Sequence, residues 1–274
     1  MNPINDPMTW QSRLPWPGAE AHKHARGRLG VVSGGAYSTG AARLAARAGL
    51  RIGAGLVKVF CAPEAAPVLA PALEAVMLAS FVSGDQLAAL AEPMDAVVIG
   101  PAAGLTEATA ANVAALARTG AALVIDADAL TLFRDRPGDL FASLDRDDVL
   151  TPHEGEFERL FPGLLAEGRE TAAREAARRA GCVLVLKGSA TVIAAPDGRC
   201  VVNGNGTPWL ATAGSGDVLA GMIGGLLAQH MESFDAACAA VWMHADAARR
   251  FGPGLIAEDL PDMIPGVLAE LYPG

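Results

Sequence analysis

The sequence predicts an α/β fold, a mostly parallel central sheet flanked by helices on both faces in three layers, and two observations carry that expectation. Short apolar runs alternate with small-residue helical stretches through the first half of the chain, as a parallel sheet requires, because each pair of parallel strands needs a crossover between them. Hydrophobic residues make up 51% of the chain but aromatics only 5%. A core of Ala, Val, Leu and Ile is what a sheet covered by Ala-rich helices uses. The 274 residues show no linker, internal repeat or low-complexity tract, so a lead-in over 1–22 followed by a single domain over 23–274 is expected.

RLGVVSGG (28–35) reads as a buried strand ending in glycines, and STGAARLAARAGLRIGAG (38–55) as the helix after it, with Ser38 or Thr39 as its N-cap. LVKVFC (56–61), AVML (75–78), DAVVIGPAAG (95–104) and ALVIDADAL (122–130) supply the next strands, with helical stretches near 64–71, 84–92 and 106–119 between them. DVLTPHEGEFERLF (148–161) repeats the pattern of strand, turn and helix start. REAARRAGC (174–182) is helical, and CVLVLKGSATVIAAPDGRCVVN (182–203) reads as a strand, a turn and a hairpin closed at Pro196-Asp197-Gly198. The last third is helical over 214–229, 234–251 and about 258–271. A sheet of this kind takes its ligands beyond the carboxyl ends of its strands.

A net charge of −9 argues against nucleic acid or an anionic membrane as a partner, since both demand clustered cations. An anionic ligand must then be held locally, by helix N-termini and a few placed cations. Cys61, Cys182, Cys200 and Cys238 are widely spaced, with no metal-ligand interval, and read as reduced core residues. With no targeting segment at the N-terminus and no apolar stretch long enough to span a bilayer, a cytoplasmic location is expected.

The strongest chemical signal is Thr212-Ala213-Gly214-Ser215-Gly216-Asp217, directly ahead of an apolar helix. Glycines let the backbone approach a phosphate, and the free N–H groups of a first helical turn point at it. An aspartate there would be held ionised by the helix dipole, as suits a base taking a proton from a hydroxyl. A plain helix cap also uses Asp, but a cap needs no run of glycines before it. Lys187-Gly188-Ser189-Ala190-Thr191, between two strands, offers a cation and a tight turn to phosphate or ribose; a solvated hairpin lysine is the plainer reading.

In Thr151-Pro152-His153-Glu154-Gly155-Glu156 the two acids serve equally well as complements of the helix dipole or as catalytic groups. His153 stands where a parallel sheet meets its ligand, or else bonds its own loop. The glycine-bearing loops at Gly34-Gly35, Gly40-Ala41-Ala42 and Gly100–Gly104 admit a flat ring or a pyrophosphate, or are simple strand-to-helix turns. Asp126 and Asp128 fit either Mg²⁺ held through water or, for Asp128, an N-cap, which is favoured; no metal ligand is assigned. His22, His24, His230 and His244 suggest no partner. No GxxxxGK(S/T), HExxH or GxSxG motif occurs, and 30–35 lacks the GxGxxG dinucleotide fingerprint.

TAGSGDVLAGMIGGLLAQ (212–229), TPHEGEFERL (151–160), KGSAT (187–191) and STGAARLAARAGLRIGAGLVKV (38–59) together resemble the NAD(P)H-hydrate dehydratase family, over nearly the whole chain from about Lys23. The resemblance implies a ribokinase-like fold and ADP-dependent dehydration of the S epimers of hydrated NADH and NADPH, with AMP and phosphate released and Mg²⁺ accompanying the nucleotide. By the family's pattern Asp217 is catalytic. Ala41, Gly104, His153 and Asp217 would meet the hydrated dinucleotide, and Lys187, Gly188, Ser189, Ala190, Thr191, Gly214, Ser215 and Gly216 the adenine nucleotide. Many members are fused to an epimerase domain; this chain has no room for one, so a separate epimerase is expected, as is a homotetramer. Ala213 stands where the family often has glycine. The rival expectations are a hydroxyethylthiazole or hydroxymethylpyrimidine kinase of the same fold, and a nucleotide sensor without turnover.

Overall fold

The structure is a computed structural model that describes residues 3–274. In chain order its elements are β1 (Arg28–Val32), α1 (Gly40–Arg51), β2 (Leu56–Cys61), α2 (Ala66–Leu69), β3 (Met77–Ser80), α3 (Gly84–Ala91), β4 (Ala96–Ile99), α4 (Glu107–Leu116), β5 (Ala122–Ile125), α5 (Asp128–Thr131), α6 (Pro137–Phe141), β6 (Val149–Leu150), α7 (Glu154–Leu160), α8 (Arg169–Ala180), β7 (Val183–Leu186), β8 (Val192–Ala194), β9 (Cys200–Val202), α9 (Ser215–Ala228), α10 (Ser233–Phe251) and α11 (Leu260–Leu271).

The strands form one sheet in the order β3-β2-β1-β4-β5-β6-β7-β8-β9. Pairing is parallel from β3 through β7 and antiparallel at β7–β8 and β8–β9. The chain runs outward from β1 in both directions, so the crevice between the loops after β1 and β4 is the switch point where such a sheet takes a ligand. One sheet face is covered by α1, α9, α10 and α11 and the other by α3 to α8, giving two separate apolar cores. The strands are buried on both faces, hence their uninterrupted Val, Leu and Ile.

On the first face α1 and α9 pack backbone to backbone. A methyl at Gly221 would sit 2.2 Å from the Ala45 carbonyl oxygen, so only glycine permits the approach. Gly214, at φ +88 ahead of α9, lies against Leu44 of α1 and Ala257. The helix starts at Gly40–Ala41 and Gly214–Asp217 thereby come to the same end of the sheet.

The lead-in is stitched to the sheet edge; its first two residues lie outside the described residues. Ile4 forms a parallel bridge with Val202, the Asn5 N–H donates to the Val202 carbonyl (2.8 Å), and the Asn5 amide donates to Asn203 (3.1 Å) and to the Cys238 carbonyl (2.8 Å). Trp10, fully buried, donates to Asn5 (3.0 Å) and packs edge-on to Trp242. The edge of β9 is thus covered.

Several boundaries depart from expectation for identifiable reasons. Pro63, Pro67 and Pro71 interrupt helical bonding, so the stretch near 64–71 breaks into short turns around α2. The third strand lies at 77–80 rather than 75–78. α8 starts five residues before the expected Arg174. No helix among the described residues is long and apolar enough to cross a membrane.

Candidate active site

Four loops at the carboxyl end of the sheet converge. Gly214 is the N-cap of α9, which makes Ser215, Gly216 and Asp217 its first turn; the Ser215 N–H donates to the Thr212 carbonyl (3.4 Å), and those of Gly216 and Asp217 have no helical acceptor. Ser215 secures the turn by donating its hydroxyl to the Leu210 carbonyl (2.8 Å). A methyl on Gly216 would lie 3.5 Å from Lys187 Nζ and 3.9 Å from Asp126 Oδ2, so the cation and the buried carboxylate both stand at this glycine.

Lys187 follows β7. Its N–H donates to the Pro152 carbonyl (2.8 Å) and its ammonium to Asp126 Oδ1 (2.7 Å), whose side chain is 2% exposed. Arg169 at the start of α8 braces the rest of this loop, donating to the carbonyls of Leu186 (3.1 Å), Lys187 (3.2 Å) and Ala190 (3.3 Å) while pairing with Glu154. Sequence reading missed Arg169, because nothing local marks an arginine that reaches a loop 17 to 21 residues further on.

Burial raises the Asp217 carboxyl to about 6; the like charge of Asp126 pushes the same way and Lys187 opposes. Burial thus works against the ionised form that the helix start favours, and leaves a base of near-neutral strength. Glu156 is raised too, again chiefly by burial, with Lys187 opposing. One ammonium thus serves three carboxylates.

His153 is the N-cap of α7. Its Nδ1 accepts from the N–H groups of Gly155 (2.9 Å) and Glu156 (3.2 Å), and its own N–H donates to Glu156 Oε2 (2.8 Å), a reciprocal capping box. The ring remains half-exposed, with Nε2 3.4 Å from Glu156 Oε1.

Asp126 and Asp128 diverge, and the favoured N-cap role does not hold for Asp128. It is the first residue of α5 rather than its N-cap, which is Ala127, and its carboxylate accepts from the Gly104 N–H (2.8 Å), pinning the loop after β4. The loops after β1 and β4 also touch: a methyl at Gly34 would be 2.1 Å from the Ala102 carbonyl oxygen. Ala102 (φ +55) and Ala127 (φ +51) take left-handed conformations that alanine disfavours.

Beside the α9 turn lies a cavity of about 540 Å³. Lys187, Gly188, Ser189, Thr191, Ser215 and Gly216 line its polar end, with Leu210, Leu219 and Val241 along an apolar wall. Of the residues expected around a nucleotide, Ala190 and Gly214 do not line it; the first presents its carbonyl to Arg169 and the second turns toward α1.

His244 of α10 does line it, against the expectation that it has no role to name. It is buried, bonds the Ser215 backbone, and is pushed down to about 4 by desolvation, so it is neutral; its Nε2 has no partner. His230 and His22 also have neighbours, at Asp95 (3.8 Å) and the Ala25 N–H (3.2 Å), both far from this site.

Of the residues expected to meet the dinucleotide, Ala41 lies in the first turn of α1, Gly104 in the loop after β4, His153 at the start of α7 and Asp217 in the first turn of α9; none of them lines this cavity. The cavity thus joins the glycine turn and the Lys187 ammonium to an apolar wall, and the Asp217 carboxylate has no ion pair among the described residues.

The family model for NAD(P)H-hydrate dehydratase matches residues 29–264. The chain is similar to the ADP-dependent (S)-NAD(P)H-hydrate dehydratase of Xanthomonas campestris, 38% identical over 95% of this chain and 94% of that one. It is equally similar (38%) to the bifunctional NAD(P)H-hydrate repair enzyme of Salinibacter ruber, covering 96% of this chain and 51% of that one. The chain therefore spans about half the length of the bifunctional relatives it matches. Among solved structures it resembles the ADP/ATP-dependent NAD(P)H-hydrate dehydratase of Bacillus subtilis co-crystallised with ATP and Mg²⁺ (TM-score 0.86, 30% identity, 99% of each chain).

Proposed function

Because the chain belongs to the NAD(P)H-hydrate dehydratase family, with the ribokinase-like fold, we propose that it dehydrates the S epimers of hydrated NADH and NADPH at the expense of ADP, a metabolite-repair reaction. The observation that carries the reading is the Asp217 carboxylate: raised to about 6, it follows the glycine turn in the first turn of α9, close enough to Asp126 and Lys187 to feel both charges. A carboxylate of that strength accepts a proton from a hydroxyl and releases it again near neutral pH.

In the proposed sequence Asp217 takes the proton of the ring's C6 hydroxyl. The freed oxygen attacks the terminal phosphorus of ADP, and the bond to the bridging oxygen breaks to release AMP. The ring nitrogen's lone pair then expels phosphate from C6, and loss of a proton from C5 restores the dihydropyridine. Such a transfer draws mainly on positioning and charge stabilisation. The Gly216 and Asp217 N–H groups and Lys187 would supply these at the phosphates, with Gly188, Ser189, Thr191 and Ser215 around the nucleotide, and Ala41, Gly104 and His153 toward the dinucleotide.

Mg²⁺ would offset phosphate charge when bound. Among the described residues no group of three His, Cys, Asp or Glu side chains is placed to hold a metal ion. The donors present thus fit Mg²⁺ only as an ion brought by the nucleotide, held largely by phosphate oxygens and water. Interconversion of the R and S epimers is assigned to an epimerase outside residues 3–274. A homotetramer in the cytoplasm is part of the same reading, supported by the family resemblance and testable by light scattering and fractionation.

The test is recovery of dihydronicotinamide absorbance when the protein meets the S epimer of hydrated NADH, Mg²⁺ and ADP or ATP. Recovery with AMP formed one-for-one from ADP is expected. No recovery with either nucleotide, with phosphorylation of a hydroxymethylpyrimidine instead, would replace this reading by a vitamin-precursor kinase.

A further inference from the structure

We propose that Asp126 is a positioning residue for this reaction: by clamping the Lys187 ammonium at the Gly216 turn, it keeps the cation beside the incoming phosphoryl group and off the Asp217 carboxylate. The inference rests on the reading of Asp217 as the base.

The geometry is that of one cation and three candidate partners. Lys187 Nζ lies 2.7 Å from Asp126 Oδ1, and that carboxylate is 2% exposed. Glu156 already holds the His153 N–H, whereas Asp217 has no ion pair among the described residues yet stands close enough to feel both Lys187 and Asp126. The root of the lysine is fixed by its N–H bond to Pro152, but its stem is flexible, and a partly buried ammonium must have a partner.

With Asp126 neutral, the uncommitted carboxylate that Lys187 already influences is Asp217, and a direct pair there would quench the base and pull the cation from the phosphate turn. The charged and titratable groups facing this point are Asp126 after β5, Lys187 after β7, His153 and Glu156 at α7, and His244 of α10, which burial keeps neutral.

The experiment follows the aspartate carboxyl carbons by NMR in the full chain across pH, in the wild type and in the D126N, K187M and D126N/K187M variants, with D217N identifying the Asp217 resonance. In the wild type that resonance is expected to titrate near 6. In D126N it should titrate roughly one unit lower or more, because a cation replaces a like charge as its neighbour. The proposal requires the effect of D126N to shrink clearly when Lys187 is already Met, since the lysine then has nowhere to move. An equal shift in both backgrounds means Asp126 acts only as a like charge and overturns the clamp; no shift in D126N overturns it as well.

Kinetics supply the second readout. In D126N the acid limb of kcat/KM should move down with the resonance while kcat falls. Because the titration needs no substrate, absence of turnover in the wild type would sink the dehydratase reading while the NMR result still decides the clamp.

Discussion

Asp126 and Asp148 bracket the same pair of strands from opposite ends, and their surroundings differ in kind. Asp148 precedes β6 at the amino end of the sheet, where Oδ1 accepts from the Leu123 N–H (2.7 Å) and Oδ2 from the Asp145 N–H (2.9 Å). Asp126 follows β5 at the carboxyl end, and its partner is a lysine 61 residues away. Both carboxylates are almost inaccessible, so burial does not separate a structural acid from a functional one. The nature of the partner does. Backbone donors satisfy Asp148 and lock a turn; a titratable side chain shared among three carboxylates leaves the other end poised. Backbone strain follows the same division, since Ala102 and Ala127 flank the carboxyl-end loops, although a third such residue, His230, lies elsewhere.

The largest effect that would sharpen this contrast is at Asp217. Replacing it with Asn should lower kcat by roughly 10²–10⁴-fold, the range for removing a general base, with nucleotide affinity by calorimetry nearly unchanged. Its carboxyl is raised to about 6 in the folded protein from an ordinary 3.8, so near neutral pH the ionised group costs stability. The Asn variant should therefore unfold at the same temperature as the wild type or higher, the signature of a site that trades stability for function. Since the ionised form is the base, wild-type kcat/KM should fall as pH drops through about 6. A flat profile from pH 5 to 8 would remove Asp217 from that role.

A smaller effect links the two helices that frame the site. Gly221→Ala would place a methyl 2.2 Å from the Ala45 carbonyl oxygen, forcing α1 away from α9. A stability loss of about 1–3 kcal/mol is expected, the usual cost of overpacking. Because α1 begins at Gly40–Ala41, KM for the hydrated dinucleotide should rise more than KM for ADP. Equal rises would mean that the helix pairing supports the whole carboxyl end rather than the dinucleotide side.

Much of this architecture was legible in the residues. The alternation of VVSGG, VVIGPAAG and LVIDADAL with Ala-rich stretches announced a parallel sheet, and glycines before Asp217 announced an anion-binding helix start, because both signals are local in sequence. What escaped reading was set by tertiary contact. Asp128 looks like a helix cap, but its carboxylate is taken by Gly104, 24 residues earlier. His244 is one histidine in an apolar helix, and only packing shows that it lines the cavity behind Ser215. The raised Asp217 carboxyl escaped for the same reason: a helix start is visible in sequence, but the burial that pushes its carboxyl up is not. The lead-in offered no pattern either, because Asn5 and Trp10 find their partners near residues 200–240.

The smallest effect tests the structural end of the comparison. Asp148→Ala leaves the buried Leu123 N–H without its acceptor and frees the Asp145 N–H at the surface turn, which near pH 4 should lower stability by about 1–3 kcal/mol while kcat stays unchanged. Its pH dependence gives the sharper result. Burial raises the Asp148 carboxyl to about 7 from 3.8, so between those values the folded chain holds a proton that the unfolded chain has released. Stability from this group is therefore full below about pH 4 and declines as pH rises toward 7. The gap in unfolding free energy between wild type and Asp148→Ala, from urea titrations, should be widest near pH 4, narrow steadily and close or change sign by pH 7. A gap that widens with pH would mean that the two backbone N–H groups outweigh desolvation. The carboxyl would then sit below its ordinary value, and Asp148 would be a conventional ionised turn-lock instead of a strained one.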